Sequence, residues 1–353
     1  MTSLVCLLTG ATGLLGRAVI DQLLGDARVA RIYGLARAPR GVGSGRMVPL
    51  ECDLRLPGLG LSAGLRVALA AEVNTVLHLG ATTTFSQTLA EARATNREGT
   101  RHLLEATCDW SGVRRWIYVS TAFVAGARTG RIAESDTTTP PGWINAYEQS
   151  KYEAEQLVRR AAMPWAIVRP STIVCDDASG RISQVNAVHR ALRLYFSGLA
   201  AMLPSTEQST LDAVTTDHVA RVIVRLALAP NLSGDTYHVC AGSGAMPLGE
   251  LLNETFRLFE REPSWRRKGI VRPERVDLDT YRLFERAIED AGSPRVRQAV
   301  RSLSHFVPQI AYPKCFDTTN TNALLGYPAP TVASFWTNMV EAVVGRDTVR
   351  EVA

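Results

Sequence analysis

Lysine is nearly missing from this chain. Of 39 basic residues only Lys151, Lys268 and Lys314 are Lys and all others are Arg, so each Lys stands out against its background. Paired cysteines are missing too: Cys6, Cys52, Cys108, Cys175, Cys240 and Cys315 include no Cys-x-x-Cys spacing. They sit mostly in apolar stretches such as Val5-Cys6-Leu7. That argues against a disulfide framework or a zinc site, and for reduced core thiols in a cytoplasmic protein with no metal. No apolar run approaches the roughly 20 residues that span a bilayer. The first apolar run, Leu4 to Leu8, is broken at Thr9-Gly10 and has no charged segment ahead of it, which reads as a strand and not as a secretory signal. Nor is there a block of basic residues interleaved with aromatics, and the net charge is only +5, so nothing points to nucleic acid. Internal repeats and low-complexity tracts are absent as well.

What is present is an ordinary globular composition, 46% hydrophobic and 21% charged over 353 residues, enough for one large core or two smaller ones. Leu4 to Leu8 suits a buried parallel strand. Thr9-Gly10-Ala11-Thr12-Gly13-Leu14-Leu15-Gly16 follows, and then the helical pattern Ala18, Val19, Ile20, Leu23, Leu24. This is the strand–turn–helix context of a dinucleotide fingerprint. Gly10 permits the tight turn, Gly13 lets backbone approach a pyrophosphate, Gly16 lets helix pack on strand, and the helix N-terminus supplies N–H groups to the phosphates. The second strand, Arg31 to Ala36, ends at Arg37, where NAD sites usually carry an acidic residue. Arg37, helped by Arg40, can instead grip a 2′-phosphate, which points to NADP(H). The third strand, Met47 to Cys52, runs into Asp53-Leu54, and Asp53 can accept from an adenine amino group or cap the next turn. The fourth, Thr75 to Leu79, ends in Gly80-Ala81, small enough to leave room for a cofactor. His78, in an apolar strand, reads as a satisfied core histidine.

Asn96 lies on a helical stretch, Leu89 to Cys108, that leads to a fifth strand, Arg115 to Val119. Ser120 and Thr121 then fall at the carboxyl end of that strand, where open parallel sheets bind ligands. Tyr147 and Lys151 are four apart and so share one face of a helix. An ammonium beside a phenol favours phenolate and lowers its pKa from about 10, which suits proton transfer. Two hydroxyls and a Lys make a donor cluster for a carbonyl oxygen gaining charge.

Together these segments resemble the extended short-chain dehydrogenase/reductases. Thr9 to Gly16, Asn96 with Gly99-Thr100, Tyr118-Val119-Ser120-Thr121-Ala122, Tyr147-x-x-x-Lys151 and Arg169-Pro170-Ser171 occur in that family's order. Gly34-Leu35-Ala36-Arg37, Cys52-Asp53-Leu54 and Val119 to Gly126 are most similar to its thioester-reductase and fatty-acyl-reductase branch. The resemblance implies Thr121 as the hydroxyl that orients the substrate carbonyl, Tyr147 as proton donor, and Lys151 on the nicotinamide ribose. It also implies that Gly10, Thr12, Gly13, Leu14, Leu15 and Gly16 hold the pyrophosphate, with Arg37 on the 2′-phosphate and Asp53 and Leu54 on the adenine. Gly80, Ala81, Asn96, Ser120, Pro170 and Ser171 would line the rest of the cofactor.

Val214 to Leu228 reads as a helix and Asp235 to Val239 as a last strand. Beyond Met246 the pattern is helix-rich, with a mixed-charge stretch holding Arg257, Arg261, Arg266, Arg267, Lys268, Arg272 and Arg275. That stretch is either a solvated surface or a docking face for an acidic acyl carrier protein. Leu194, Tyr195, Phe196, Leu199 and Met202 suit a core or a substrate cleft, and Trp336, Met339, Val340 and Val343 the apolar face of a closing helix. The expected fold is α/β: a Rossmann-type doubly wound parallel sheet with a smaller, mostly helical C-terminal substrate lobe. The division expected is 1–170 plus about 212–240 for the NADP-binding domain, and 171–211 plus 241–353 for the lobe. The expected activity is NADPH-dependent reduction of a carbonyl, foremost a CoA- or carrier-bound acyl thioester. The alternatives are a ketone or secondary-alcohol oxidoreductase acting on polyketide- or sterol-like metabolites, then a sugar-nucleotide epimerase or a non-catalytic NADP sensor.

Overall fold

The computed structural model describes residues 3–39 and 45–350; Arg40 lies outside the described residues. Seven strands form one parallel sheet: β1 (Leu4–Thr9), β2 (Val29–Ala36), β3 (Met47–Glu51), β4 (Thr75–His78), β5 (Arg115–Val119), β6 (Trp165–Pro170) and β7 (Asp235–Val239). Their spatial order is β7-β6-β5-β4-β1-β2-β3. β1 is therefore flanked by β2 and β4, and the chain's direction of travel across the sheet reverses there. A doubly wound sheet opens its ligand crevice beyond the carboxyl ends of strands at such a reversal. The register sets the strand ends level, with Thr9 opposite His78 and His78 opposite Tyr118. Central strands are buried on both faces, so β1, β4 and β5 are apolar runs and not alternating ones.

The helices on the sheet are α1 (Leu14–Leu24), α2 (Ala63–Glu72), α3 (Leu89–Thr107), α4 (Ala146–Arg159) and, beyond a lobe helix α5 (Ala187–Phe196), α6 (Thr216–Ala227). One face of the sheet packs on α1 and α6 through Val19, Ile20, Leu23, Val219, Ile223 and Leu226. The other face carries α2, α3 and α4 through Leu69, Leu103, Ala154 and Val158. The expected helix at 214–228 starts at Thr216, because Ala213–Thr215 is drawn into parallel pairing with Thr172–Cys175.

A separate core lies in the lobe, built from α5, α7 (Leu248–Phe259), α8 (Leu278–Ala291), α9 (Pro294–Leu303) and α10 (Ala333–Arg350). Trp336, Met339, Val340 and Val343 all sit in it. Tyr195 is part of that core, and Leu194, Phe196 and Met202 pack against it. Tyr195 and Phe259 meet edge to face with ring centroids 5.2 Å apart, a favoured aromatic geometry. Four of the cysteines are buried, but Cys108 and Cys315 are exposed: Cys108 caps the end of α3, and Cys315 points outward from a short strand, Lys314–Phe316, that pairs with Gly130–Ile132. Among the described residues no helix is long and apolar enough to cross a membrane.

Candidate active site

The turn after β1 is shaped by glycine. Gly10 has φ +75°, and a Cβ there would meet the backbone of Gly80 at 2.9 Å. A Cβ on Gly16 would lie 2.1 Å from the Gly10 carbonyl oxygen, so only glycine lets α1 start this close to β1. Gly13 is the N-cap of α1, and no side chain caps that end. The N–H groups of the first turn are thus left for an anion, and the helix dipole favours one.

These groups face a cavity of about 380 Å³ that also takes in the ends of β4, β5 and β6. Gly10, Gly13, Leu14, Leu15 and Gly16 line its phosphate side, with Ala81 beside them. Ser120, Thr121, Tyr147, Lys151, Pro170 and Ser171 line the other end. A dinucleotide fits this donor set: an uncapped helix start, a glycine turn with no room for side chains, and a hydroxyl–Lys cluster at the far end.

Tyr147 and Lys151 share one face of α4, which is capped by the Asn145 side chain accepting from the Glu148 N–H at 3.0 Å. Thr121 caps the short turn after β5 by accepting from the Phe123 N–H, and its hydroxyl hydrogen-bonds the Tyr147 phenol. Phe85 packs on the Tyr147 ring at 5.4 Å between centroids, and Phe306 stacks on Phe85 at 6.4 Å. The Tyr147 ring is half-buried while its hydroxyl end is enclosed. Burial pushes the phenol up to about 12, against the Thr121 hydrogen bond. The expectation that Lys151 depresses this phenol therefore fails for the protein by itself. Its ammonium donates to the Val119 carbonyl at 2.7 Å and lies 4.1 Å above the Tyr118 ring. Burial pulls Lys151 down to about 7, while Glu155 acts to raise it.

Glu155 follows Lys151 by one more helical turn, so Tyr147, Lys151 and Glu155 share one face. Arg169, the β6 residue before Pro170, donates to the Glu155 carboxylate at 2.8 and 2.6 Å. Burial alone would raise the Glu155 pKa, but the charges and hydrogen bonds of Arg169 and the charge of Arg159 outweigh it and hold the group below the usual carboxylate range.

Several expected cofactor residues lie elsewhere. Thr12 is in the turn, and Gly80 donates its N–H to Thr9 Oγ1 at 3.0 Å, but neither lines the cavity. Asn96 is withdrawn from it: Oδ1 accepts from the Thr82 N–H at 2.9 Å, and Nδ2 donates to the Thr82 carbonyl and to Ser150 Oγ at 2.9 Å. Its amide is spent on fastening the loop after β4 to α4. Arg37, Asp53 and Leu54 stand beyond the cavity, at the ends of β2 and β3. Arg37 is exposed. Both Asp53 oxygens already accept from Arg55, a residue not foreseen in the site, and that bond holds the Asp53 carboxyl down to about 2. Leu54 packs its side chain against Gly80 and Gly99, and its carbonyl meets His102 Nδ1 at 2.9 Å. His78 is the satisfied core histidine expected, held by Thr9 Oγ1 at 2.7 Å and Thr100 Oγ1 at 2.9 Å. Thr172 and Phe306 line the cavity and were not foreseen. Phe306 comes from a lobe segment far away in sequence.

Strand order, uncapped phosphate helix and hydroxyl–Lys cluster define an NAD(P)-binding oxidoreductase of the extended short-chain dehydrogenase/reductase type. A family model described as "Male sterility protein", an NAD-binding family, matches residues 41–223, and the chain belongs to that family. It is 30% identical over 284 residues to a polyketide synthase-nonribosomal peptide synthetase of Aspergillus clavatus, covering 73% of this chain and 7% of that protein. It is 28% identical over 218 residues to the fatty acyl-CoA reductase wat of Drosophila melanogaster, covering 47% of this chain and 42% of that protein. The chain thus spans less than half the length of these curated relatives. The crystal structure of the terminal R domain from the myxalamid PKS-NRPS pathway superposes with a TM-score of 0.78 at 25% identity, covering 99% of this chain and 92% of that one. The resemblance to the thioester-reductase and fatty-acyl-reductase branch is borne out.

Proposed function

We propose that this chain is an NADPH-dependent reductase of acyl thioesters, CoA- or carrier-bound. The observation that carries the reading is the convergence of Thr121, Tyr147 and Lys151 in the same cavity as the uncapped start of α1. Bound NADPH supplies hydride. Gly10, Gly13 and Gly16 hold its pyrophosphate, Lys151 its nicotinamide ribose and Arg37 its 2′-phosphate. Thr121 and Tyr147 donate to the carbonyl oxygen as negative charge gathers on it, and Tyr147 hands over the proton. A phenol kept protonated by burial, at about 12, is in the right state to give a proton at neutral pH. The resulting hemithioacetal would expel the thiol to leave an aldehyde, and a second NADPH, exchanged for the spent cofactor, would supply the hydride that takes the aldehyde to the alcohol. Phe306 also lines an apolar cavity of about 70 Å³ with Leu252, Leu303 and Trp336, surroundings that suit a hydrocarbon chain. Loss of NADPH absorbance with an acyl-CoA or a carrier-bound acyl thioester is the expected result. Consumption with ketones alone removes the reading.

The division into 1–170 plus about 212–240 and 171–211 plus 241–353 is part of this proposal, supported by the separate lobe core. So is a cytoplasmic setting, supported by six free thiols. Arg37→Ala is expected to raise KM for NADPH relative to NADH by about 10–100-fold, the worth of a charge-assisted bond; an unchanged ratio in steady-state kinetics refutes the 2′-phosphate role.

Arg266, Arg267 and Lys268 stand exposed together, and we assign them to docking an acidic acyl carrier protein. Reversing all three to Glu is expected to raise KM for the carrier-bound substrate about tenfold while a small thioester keeps its KM. No change with the carrier-bound substrate ends that assignment.

A further inference from the structure

Three spaces meet at Phe306. It lines the catalytic cavity, a small chamber of about 40 Å³ and the apolar lobe cavity of about 70 Å³. Phe123 and Thr172 also line the first two spaces, and Thr210, Leu211 and Ile310 the last two. The chamber is thus a corner between the reacting groups and the lobe. Phe306 touches both sides of that corner. Its ring stacks on Phe85, which packs on Tyr147, and the same side chain packs against the lobe core. The chain just before it is fastened to the start of α4, where the His305 carbonyl accepts from Asn145 Nδ2 at 3.0 Å. The charged groups of the corner are already met. Lys314 donates to Gln309 Oε1 at 3.2 Å and to the Tyr312 carbonyl at 3.0 Å. Asp212 accepts from the N–H groups of Ala241 at 2.8 Å and Gly242 at 2.9 Å. An alkyl chain at the corner therefore strands neither charge without a bond.

Beyond the corner the lining turns aliphatic and aromatic, with Ala191 and Leu192 from α5, Leu251 and Leu252 from α7, Leu303 from α9 and Trp336 from α10. Trp336 spends its indole N–H on Thr255 Oγ1 at 3.0 Å. Apolar cavities stay dry and take apolar guests: one of about 150 Å³ holds a benzene, so one of about 70 Å³ holds about three carbons. We propose that the lobe cavity is the end pocket of the acyl site. The chain leaves the thioester carbon at Thr121 and Tyr147, turns past Phe306 and lays its last carbons among the lobe residues. The substrate class is then an acyl thioester with an apolar chain of limited length, and the lobe cavity sets the limit. The inference rests on the thioester-reductase reading above.

The test measures kcat/KM by NADPH absorbance across straight-chain acyl-CoAs from butanoyl to dodecanoyl. Wild type is expected to gain about fourfold per methylene over a window of about three methylenes, the worth of taking each out of water. Past that window the pocket is full and the gain stops. Ala191→Leu fills the pocket from α5 and is expected to cut the gain across the window to about fourfold or less. Leu252→Ala enlarges it from α7 and is expected to carry the gain on into longer chains. Each readout compares substrates within one protein, so a general loss of folded enzyme cancels. A flat profile in wild type, or a gain that runs unbroken to dodecanoyl-CoA, overturns the end pocket. So does a window that Ala191→Leu leaves in place; if that variant does not fold, a window that Leu252→Ala leaves in place decides the same way. Reduction of none of these thioesters overturns the thioester reading itself, and the end pocket with it.

Discussion

Tyr147→Phe lowers kcat by about 10²–10⁴-fold, the usual worth of a positioned general acid, while NADPH still binds with near wild-type affinity. The two halves of this result come from different parts of the site. On the proposed reading cofactor affinity rests on the Gly10–Gly16 turn and the start of α1, at the other end of the cavity from the phenol. The ring itself stays: Phe keeps the contact with Phe85 at 5.4 Å, so α4 and the aromatic wall are not disturbed. What is lost is one hydroxyl, and with it the donor that faces Thr121. Thr121 remains as the sole hydroxyl for the growing negative charge, so a residual rate is expected and a complete loss is not. Fluorescence titration of NADPH together with single-turnover reduction separates the halves. Wild-type kcat in the variant removes Tyr147 as proton donor; lost cofactor binding places it in the dinucleotide site instead.

The parts of this protein that were legible in its sequence are the ones encoded locally. β5 falls at Arg115–Val119, as its apolar run foretold, β7 at Asp235–Val239, and Gly13 and Gly16 work through Gly10, only a few positions away. The spacing of Tyr147 and Lys151 placed them on one helix face. Direction was not encoded there. Whether the ammonium turns to the phenol or to the Val119 carbonyl depends on β5, 32 positions earlier. Asn96 misled for a similar reason, since its amide is consumed by Thr82 and by Ser150, 54 positions away. Phe306 and Lys314 were out of reach altogether. Phe306 reaches the cleft from a lobe segment distant in sequence, and Lys314 is placed by the pairing of Lys314–Phe316 with Gly130–Ile132, a contact between segments whose sequences carry no mark of each other. Glu155 is the instructive middle case: the helical period that joined Tyr147 to Lys151 reaches it in one more step, and its partner Arg169 stands beside the expected Pro170.

That pair is a buried ion pair, with Arg169 and Glu155 side chains 4% and 0% exposed. Arg169→Met leaves the Glu155 carboxylate fully buried, with Arg159, at 3.5 Å, as its remaining ion-pair partner. Removing one partner of a buried ion pair costs about 3–5 kcal/mol, which is a large share of the stability of any ordinary domain. Glu155→Leu with Arg169→Met together is expected to recover part of that loss, because the uncompensated carboxylate is gone while the buried Lys151 ammonium loses the Glu155 charge that favours it. The pH dependence follows from the sign of the shift. The Glu155 pKa is depressed in the folded chain, so its contribution is present above the ordinary carboxylate range and is lost as pH falls through the depressed value. In Arg169→Met the carboxylate instead becomes easier to protonate, and acid relieves the variant. The gap between wild type and Arg169→Met in urea titrations is therefore widest near neutral pH and narrows as the solution is acidified. A gap that stays constant on acidification assigns the loss to packing and not to charge. Because Arg169 ties β6 to the helix that presents Tyr147 and Lys151, any Arg169→Met protein that remains folded is also expected to turn over more slowly. Rescue of that rate by the double substitution would separate slackened geometry from the missing guanidinium.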